Sequence, residues 1–358
     1  MATGRAARHP WPVAATPHPV DILAAWPGAT AGAMATAHAD HGSGAWRQAR
    51  VRQWTPHAHA VPLGASTQKM PGLARTRLGT YARGSGLIER RTPMLPSATP
   101  PGLLVDLYQF TMLEAYLEAG MTETATFEFF VRRLPEGRRF LVAGGLEQAL
   151  DYLESLSFGA DELDWLASTG LVGRDLIEHL ARFRFTGEVH AMPEGTVFFP
   201  DEPILRVTSP LPEAQLVETR LINLLQFQTV IASKASRMVL AAEGRSLVDF
   251  GLRRAHGEEA GLLAARAAYV AGFTGTATVG AARLFDIPAF GTMAHSFIQA
   301  HDDEMLAFRH FATARPERLV LLIDTYDTVE GARRVARLAP ELAAAGIEVS
   351  GVRLDSGD

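Results

Sequence analysis

No cysteine occurs anywhere in the 358 residues, which excludes a disulfide framework and any zinc site built on thiolates. No apolar run approaches the roughly 20 residues that a membrane-spanning helix requires. The N-terminus also lacks a hydrophobic region behind a basic flank, the mark of a secretion signal. Positive charge is not in excess: the formal net charge is −5, so the chain has no general attraction for nucleic acid. The phosphate-cradling Gly-x-x-x-x-Gly-Lys-Ser/Thr loop is missing as well, so any ATP is held by another device. The glycines of Ala271-Gly-Phe-Thr-Gly-Thr276 do not follow a clear strand, as those of a dinucleotide fingerprint do. What remains is the expectation of a soluble, cytoplasmic protein that binds neither nucleic acid nor membrane. Its composition, 47% hydrophobic and 20% charged, is that of a globular chain with room for two domains.

Residues 1–100 differ from the rest. They are rich in Ala, Gly, Pro, His, Thr and Arg and sustain neither the 3.6 nor the 2.0 hydrophobic period. We expect them to be a disordered extension. Order is expected from residue 103. Apolar residues at Leu103, Leu107, Phe110, Leu113 and Leu117, with a stop at Gly120, predict a helix. Residues 124–134 alternate as a strand, 146–156 read as an amphipathic helix, and two short helices follow near 161–168 and 174–183. Strands at 188–192, 196–199 and 204–208, separated by Pro-containing turns, predict a small antiparallel β-layer. Two helical stretches, 214–227 and 229–243, come next.

Beyond residue 244 the rhythm becomes strand, loop, helix, repeated: strands at 246–250, 288–291, 318–323 and 347–354, with helices at 257–271, 276–285 and 329–345. Alternation at this spacing predicts parallel strands. The four strand ends carry a consistent set of groups: Arg253 and Arg254; Thr292 with His295; Asp324 with Thr325; Arg353 with Asp355 and Ser356. In a parallel barrel such ends converge on one face, where active sites lie. Arginines offer forked donors for carboxylate or phosphate. Asp324 and Asp355 suit Mg²⁺ or ribose hydroxyls, since hard cations prefer oxygen. A site of both signs suits a polyanionic, metal-carrying substrate. Each residue alone reads equally well as a loop charge or helix cap, and Asp355-Ser-Gly-Asp358 is ordinary turn chemistry. The cluster of His301, Asp302, Asp303, Glu304 and His310 matches no standard zinc spacing and reads as a solvated helix face.

Five motifs, in order, carry a resemblance to the nicotinate phosphoribosyltransferases over residues 103–358: Asp106-Leu-Tyr-Gln-Phe-Thr-Met112, Asp249-Phe-Gly-Leu-Arg-Arg-Ala-His256, Gly272-Phe-Thr-Gly-Thr276, Gly291-Thr-Met-Ala-His-Ser296 and Val352-Arg-Leu-Asp-Ser-Gly-Asp358. The resemblance implies the type II phosphoribosyltransferase fold. Residues 101–211 would form a mixed α/β domain with a small β-layer, and 212–358 an incomplete TIM-like α/β barrel. It implies formation of nicotinate mononucleotide and pyrophosphate from nicotinate and phosphoribosyl pyrophosphate, with coupled ATP hydrolysis, in NAD salvage. His295 matches the histidine that the family phosphorylates from ATP. Tyr108 matches the aromatic that covers the pyridine ring, delivered across a homodimer interface. Arg253, Arg254, Thr276, Thr292, Ser296 and Arg353 are implied in substrate binding, and Asp324 and Asp355 in catalysis near ribose or Mg²⁺–pyrophosphate. The family continues past the last residue here, so we expect this stretch alone to be inactive. A nicotinamide or quinolinate phosphoribosyltransferase, or an inactive remnant, are the alternatives; a phosphorylatable His295 argues against quinolinate.

Overall fold

A computed structural model describes residues 101–134 and 136–356. The extension expected over residues 1–100 lies outside the described residues. The chain divides into two compact units, ending at Thr274 and beginning at Gly275. The boundary expected at residue 212 does not coincide with that division, because the helix starting there packs back on the elements before it.

In the first unit, helix α1 (Leu107–Glu118) starts where Gln109 Oε1 accepts the N–H of Asp106 at 3.1 Å, one half of a capping box. Strands β1 (Thr124–Phe129), β3 (Glu188–Ala191) and β5 (Leu205–Pro210) form an antiparallel sheet with β5 in the centre. The β-layer predicted from 188–208 is therefore present in part: β3 and β5 share a sheet completed by β1, whereas the middle strand expected at 196–199 leaves it for another partner. β5 alternates as a half-buried strand should, with Leu205, Val207 and Ser209 on the buried side. A second antiparallel pair joins β2 (Leu141–Val142) to β4 (Val197–Phe198). β2 is too short to leave a periodic signal. Helices α2 (Leu146–Ser155), α3 (Ala160–Thr169) and α4 (Arg174–Ala181) follow the expected positions.

Helix α5 runs unbroken from Leu211 to Ala241, about 46 Å at 1.5 Å per residue. It packs against α1, α2, β1, β2, β5 and α6 (Glu258–Val270). The sequence reading divided it at residue 228. Gln228 is in fact fully buried and donates through Nε2 to Gln148 Oε1 at 2.9 Å, so a polar residue that looked like a break is an interior tie. Thr229 and Ser233 add ties to the backbone of Gly144 and Val142. Gly145 faces α5 at φ +96°, where a Cβ would stand 2.6 Å from Leu224 O, so only glycine allows this approach. Strand β6 (Val248–Asp249) and a 3₁₀ turn (Leu252–Arg254) precede α6.

The second unit is built of β7 (Gly275–Thr276), α7 (Val279–Phe285), α8 (His295–Gln299), α9 (Glu304–Ala314), β8 (Leu319–Leu322), α10 (Thr328–Ala344) and β9 (Val349–Arg353). β8 and β9 are parallel neighbours joined through α10, the predicted unit. The strand expected at 288–291 is reduced to one parallel bridge between Thr276 and Ala289. The predicted helix at 276–285 starts later, at Val279, because Thr276 belongs to that bridge. Leu321, Leu322, Phe308, Ile298 and Leu338 are fully buried in one core. α10 lies so close to the end of β8 that a Cβ on Gly331 would fall 2.1 Å from Ile323 O. That contact brings the N-terminus of α10 against the strand end that carries the site.

Candidate active site

Three loop segments of the second unit meet at the end of β8. His295, the first residue of α8, places Nδ1 3.1 Å from Thr325 Oγ1. Its Nε2 is shut from solvent without a hydrogen bond, and Asp355 Oδ2 lies 3.7 Å from it. The other oxygen of Asp355 is held by Arg353 Nη2. Arg353 Nη1 in turn donates to Thr292 Oγ1 at 3.1 Å and to Met293 O at 3.0 Å. The guanidinium therefore joins the loop before α8 to the end of β9, and Thr292, His295, Arg353 and Asp355 form one constellation.

Asp324 organises it from beneath. Its Oδ2 accepts the N–H groups of Asp355 and Ser356, the latter at 2.6 Å, and the Ser356 hydroxyl at 3.1 Å. Desolvation pushes the Asp324 carboxyl up, but these donors outweigh it and hold the group below the usual carboxylate range. The sign follows directly. A depressed folded pKa stabilises the protein above the unfolded value of about 3.9 and is lost as pH falls through the folded pKa. Asp324→Asn is therefore expected to lower the melting temperature at neutral pH and to flatten its decline in acid. Melting curves of both proteins from pH 7 to pH 3 check this; parallel curves would refute it.

The fit to Mg²⁺ is poor in this arrangement. Asp324 spends one oxygen on three protein donors and its other oxygen is shut from solvent, while Asp355 is engaged with Arg353. Among the described residues no three His, Asp or Glu side chains gather as a metal site. His301 instead sits 3.0 Å from His310 through Nε2 and Nδ1, with its own Nδ1 on Phe297 O at 2.7 Å. Glu304 is buried against Arg334 at 2.6 Å. Asp302, Asp303 and His310 are exposed, as expected of a solvated face, whereas His301 is half-buried and Glu304 is buried.

The remaining predicted residues are distributed as follows. Ser296 is exposed in the first turn of α8. Thr276 is fully buried, and its hydroxyl accepts the N–H of Thr278 at 3.0 Å, so it serves the backbone locally. In the first unit, Arg253 and Arg254 are exposed in the 3₁₀ turn after β6. Tyr108 is 46% exposed in the first turn of α1, its hydroxyl 3.4 Å from Glu218. Desolvation, backed by the charges of Glu218 and Asp106, pushes its phenol up.

Thr325 was visible in the sequence only as the neighbour of Asp324, because a threonine after a strand is common loop chemistry. Another group left no chemical signal at all. In the first unit Arg266 of α6 donates to both oxygens of Glu194 at 2.8 and 2.6 Å, and to Glu147 and Gln228. Glu194 also accepts the N–H groups of Gly145 and Leu146 at the start of α2. These partners are 72 and 119 positions from Arg266.

Comparison with known proteins gives a consistent picture. Residues 103–226 match the nicotinate phosphoribosyltransferase N-terminal domain, and residues 245–358 match the nicotinate phosphoribosyltransferase family. A nicotinate phosphoribosyltransferase of Mycobacterium tuberculosis is 49% identical over 256 residues, covering 72% of this chain and 55% of that protein. One from Bacillus subtilis is 43% identical over 258 residues, covering 72% and 52%. The chain thus spans about half the length of the curated relatives it matches. The crystal structure of human nicotinic acid phosphoribosyltransferase superimposes with a TM-score of 0.66 at 32% identity, covering 71% of this chain and 61% of that one. A nicotinate-nucleotide pyrophosphorylase from Pyrococcus furiosus gives 0.58 at 25% identity, covering 72% and 57%.

Proposed function

This chain belongs to the nicotinate phosphoribosyltransferase family, and we propose that it acts in making nicotinate mononucleotide from nicotinate and phosphoribosyl pyrophosphate in NAD salvage. The ring nitrogen of nicotinate bonds to C1 of the ribose as the bond from C1 to pyrophosphate breaks. Such a step asks for stabilisation of a cationic sugar and of a departing polyanion, more than for a strong base. Asp355 supplies the negative charge for the first. Arg353 supplies a forked donor for the second; in the first unit, the exposed Arg253 and Arg254 are candidates of their own for binding carboxylate or phosphate. The exposed ring of Tyr108 is assigned to the pyridine face, across a homodimer interface. Mg²⁺ is expected to arrive on the substrate phosphates, since one oxygen of each carboxylate is held by protein donors and the other oxygen of Asp324 is shut from solvent.

The observation that carries the proposal is His295 held between Thr325 and Asp355, on a loop that Arg353 ties to β9. A ring nitrogen of His295 attacks the γ-phosphorus of ATP, the bond to the ADP oxygen breaks, and ADP leaves. The phosphohistidine then returns its phosphoryl group to water. While present, it adds about −2 charge beside Arg353, which changes how the site holds its anionic substrates. We place this chemistry in the cytoplasm, with ATP as co-substrate.

The test is incubation of the chain with nicotinate, phosphoribosyl pyrophosphate, ATP and Mg²⁺, with chromatography for nicotinate mononucleotide. Parallel arms replace nicotinate by nicotinamide or quinolinate. Product from nicotinate supports the proposal and would show that these residues suffice for turnover, against the expectation that they do not. Turnover of another pyridine alone moves the substrate. Labelling of His295 from ATP without turnover places the remaining groups of the site outside this stretch, whereas neither label nor product overturns the reading.

A further inference from the structure

The contact between His295 and Thr325 has a consequence that the family assignment does not supply. An imidazole in a loop can rotate and can carry its proton on either nitrogen, and the partner of one nitrogen decides which. Here Nδ1 has one hydrogen-bonding neighbour, the Thr325 hydroxyl at 3.1 Å. Nε2 is buried with no hydrogen-bond partner and faces Asp355 Oδ2 at 3.7 Å. For the neutral ring two proton arrangements are open. If Nδ1 held the proton and donated to Thr325, the Nε2 lone pair would point at a carboxylate, and two negative ends would face each other in a site closed to water. If Thr325 donates its hydroxyl proton to Nδ1, then Nδ1 is hydrogen-bonded and Nε2–H faces the Asp355 carboxylate at 3.7 Å, an attractive contact though not a hydrogen bond. Coulomb attraction over 3.7 Å in a partly dry site favours the second arrangement.

We infer that Thr325 is a positioning residue, whose hydroxyl donates to Nδ1 and thereby fixes both the rotation and the tautomer of His295. Its place in the chain makes this effective. Thr325 directly follows Asp324, which holds the N–H groups of Asp355 and Ser356. Two successive residues at the end of β8 therefore hold the two sides of the imidazole: Thr325 on Nδ1 directly, and Asp324 on Nε2 through Asp355. Gly331, pressed on Ile323 O, supports that strand end from behind. Any movement of the Asp355 loop is transmitted to the ring through this pair. Resting on the phosphohistidine reading above, the inference adds that Nδ1 is the nucleophile: with the proton on Nε2, the Nδ1 lone pair attacks the γ-phosphorus as the Thr325 hydroxyl turns away from it.

The experiment compares wild type with Thr325→Val, which keeps the shape and removes the hydroxyl, and Thr325→Ser, which restores it. Two readouts are taken on the full chain. Long-range proton–nitrogen NMR of histidine-labelled protein, with His295→Gln to assign the signal, gives the tautomer without ATP. Labelling from γ-labelled ATP gives the rate of phosphohistidine formation. The expected result is one dominant Nε2–H tautomer in wild type and Thr325→Ser, a mixed or inverted one in Thr325→Val, and labelling up to about 100-fold slower in the valine variant. A tautomer shift with no labelling of wild type would sustain the role of Thr325 while overturning the phosphohistidine reading. An unchanged tautomer in Thr325→Val overturns the inference, whether or not labelling slows, because a purely structural loss would slow labelling without moving the proton. If the valine variant does not fold, Thr325→Ala is read the same way, with circular dichroism as the fold control.

Discussion

Arg266→Ala is expected to destabilise the first unit by about 3–5 kcal/mol, the range for breaking a buried ion pair by removing one partner. The Arg266 side chain is 7% exposed and that of Glu194 is 14% exposed, so the orphaned carboxylate stays where water cannot replace the lost donors. Desolvation alone would push the Glu194 carboxyl up. The hydrogen bonds and charge of Arg266, with the N–H groups of Gly145 and Leu146, outweigh it and hold the group below its ordinary value. Removing the guanidinium reverses that balance and also loosens the start of α2, whose first N–H groups rest on Glu194. Against a total stability of about 5–15 kcal/mol for a typical domain, the loss is severe. Urea unfolding followed by circular dichroism measures it, and hydrogen exchange of α5 and α6 amides locates it. The pairing of Arg266→Met with Glu194→Leu is expected to recover only part of the loss, since it leaves no buried unpaired charge between the two positions but takes the acceptor from the N–H groups of Gly145 and Leu146. A loss below about 1 kcal/mol in Arg266→Ala would mean that the cluster behaves as an exposed pair.

In a protein that completes this stretch to the length of its relatives, His295→Ala is expected to abolish labelling from γ-labelled ATP and to remove ATP stimulation of nicotinate mononucleotide formation, while ATP-independent turnover persists. The stimulation at stake is set by a coupling free energy between sites, typically about 5–150-fold. The geometry suggests how the coupling works. A phosphoryl group on Nδ1 of His295 would displace the Thr325 hydroxyl and bring its negative charge into the same small site as the Asp355 carboxylate, which Arg353 holds. Like charges in a partly dry site repel strongly, so the Asp355 and α8 loops would have to rearrange together. Initial rates with and without ATP, for wild type and His295→Ala, check the outcome. Label that survives in the alanine variant would move the phosphoryl acceptor to another side chain, with the nearby pair His301 and His310 the first to replace. Equal ATP stimulation in both proteins would remove His295 from the energy coupling.

Much of the architecture was determined locally. The apolar spacing of α1, the alternation of β5, the closing glycines and the β–α–β rhythm of the second unit are short-range patterns, and they produced the expected elements near the expected positions except at 288–291, where one bridge stands for the strand. Strand ends were legible for the same reason: an apolar run that stops at a charged residue marks both the end of a strand and the face where chemistry collects. Membership of the family followed from five ordered motifs. Only the tertiary structure decided the rest, because the partners are far apart in sequence. α5 became one helix because Gln228 found Gln148 in the interior. β2 exists because β4 pairs with it. Arg266 is a structural clasp because Glu194 and Glu147 come to it across 72 and 119 positions. The state of His295 depends on Thr325, 30 positions away, and on a carboxylate that Arg353 and Asp324 hold in place. A single sequence displays which groups are present and their local period; which of them neutralise one another is settled only when packing removes water and leaves each charge to find its partner.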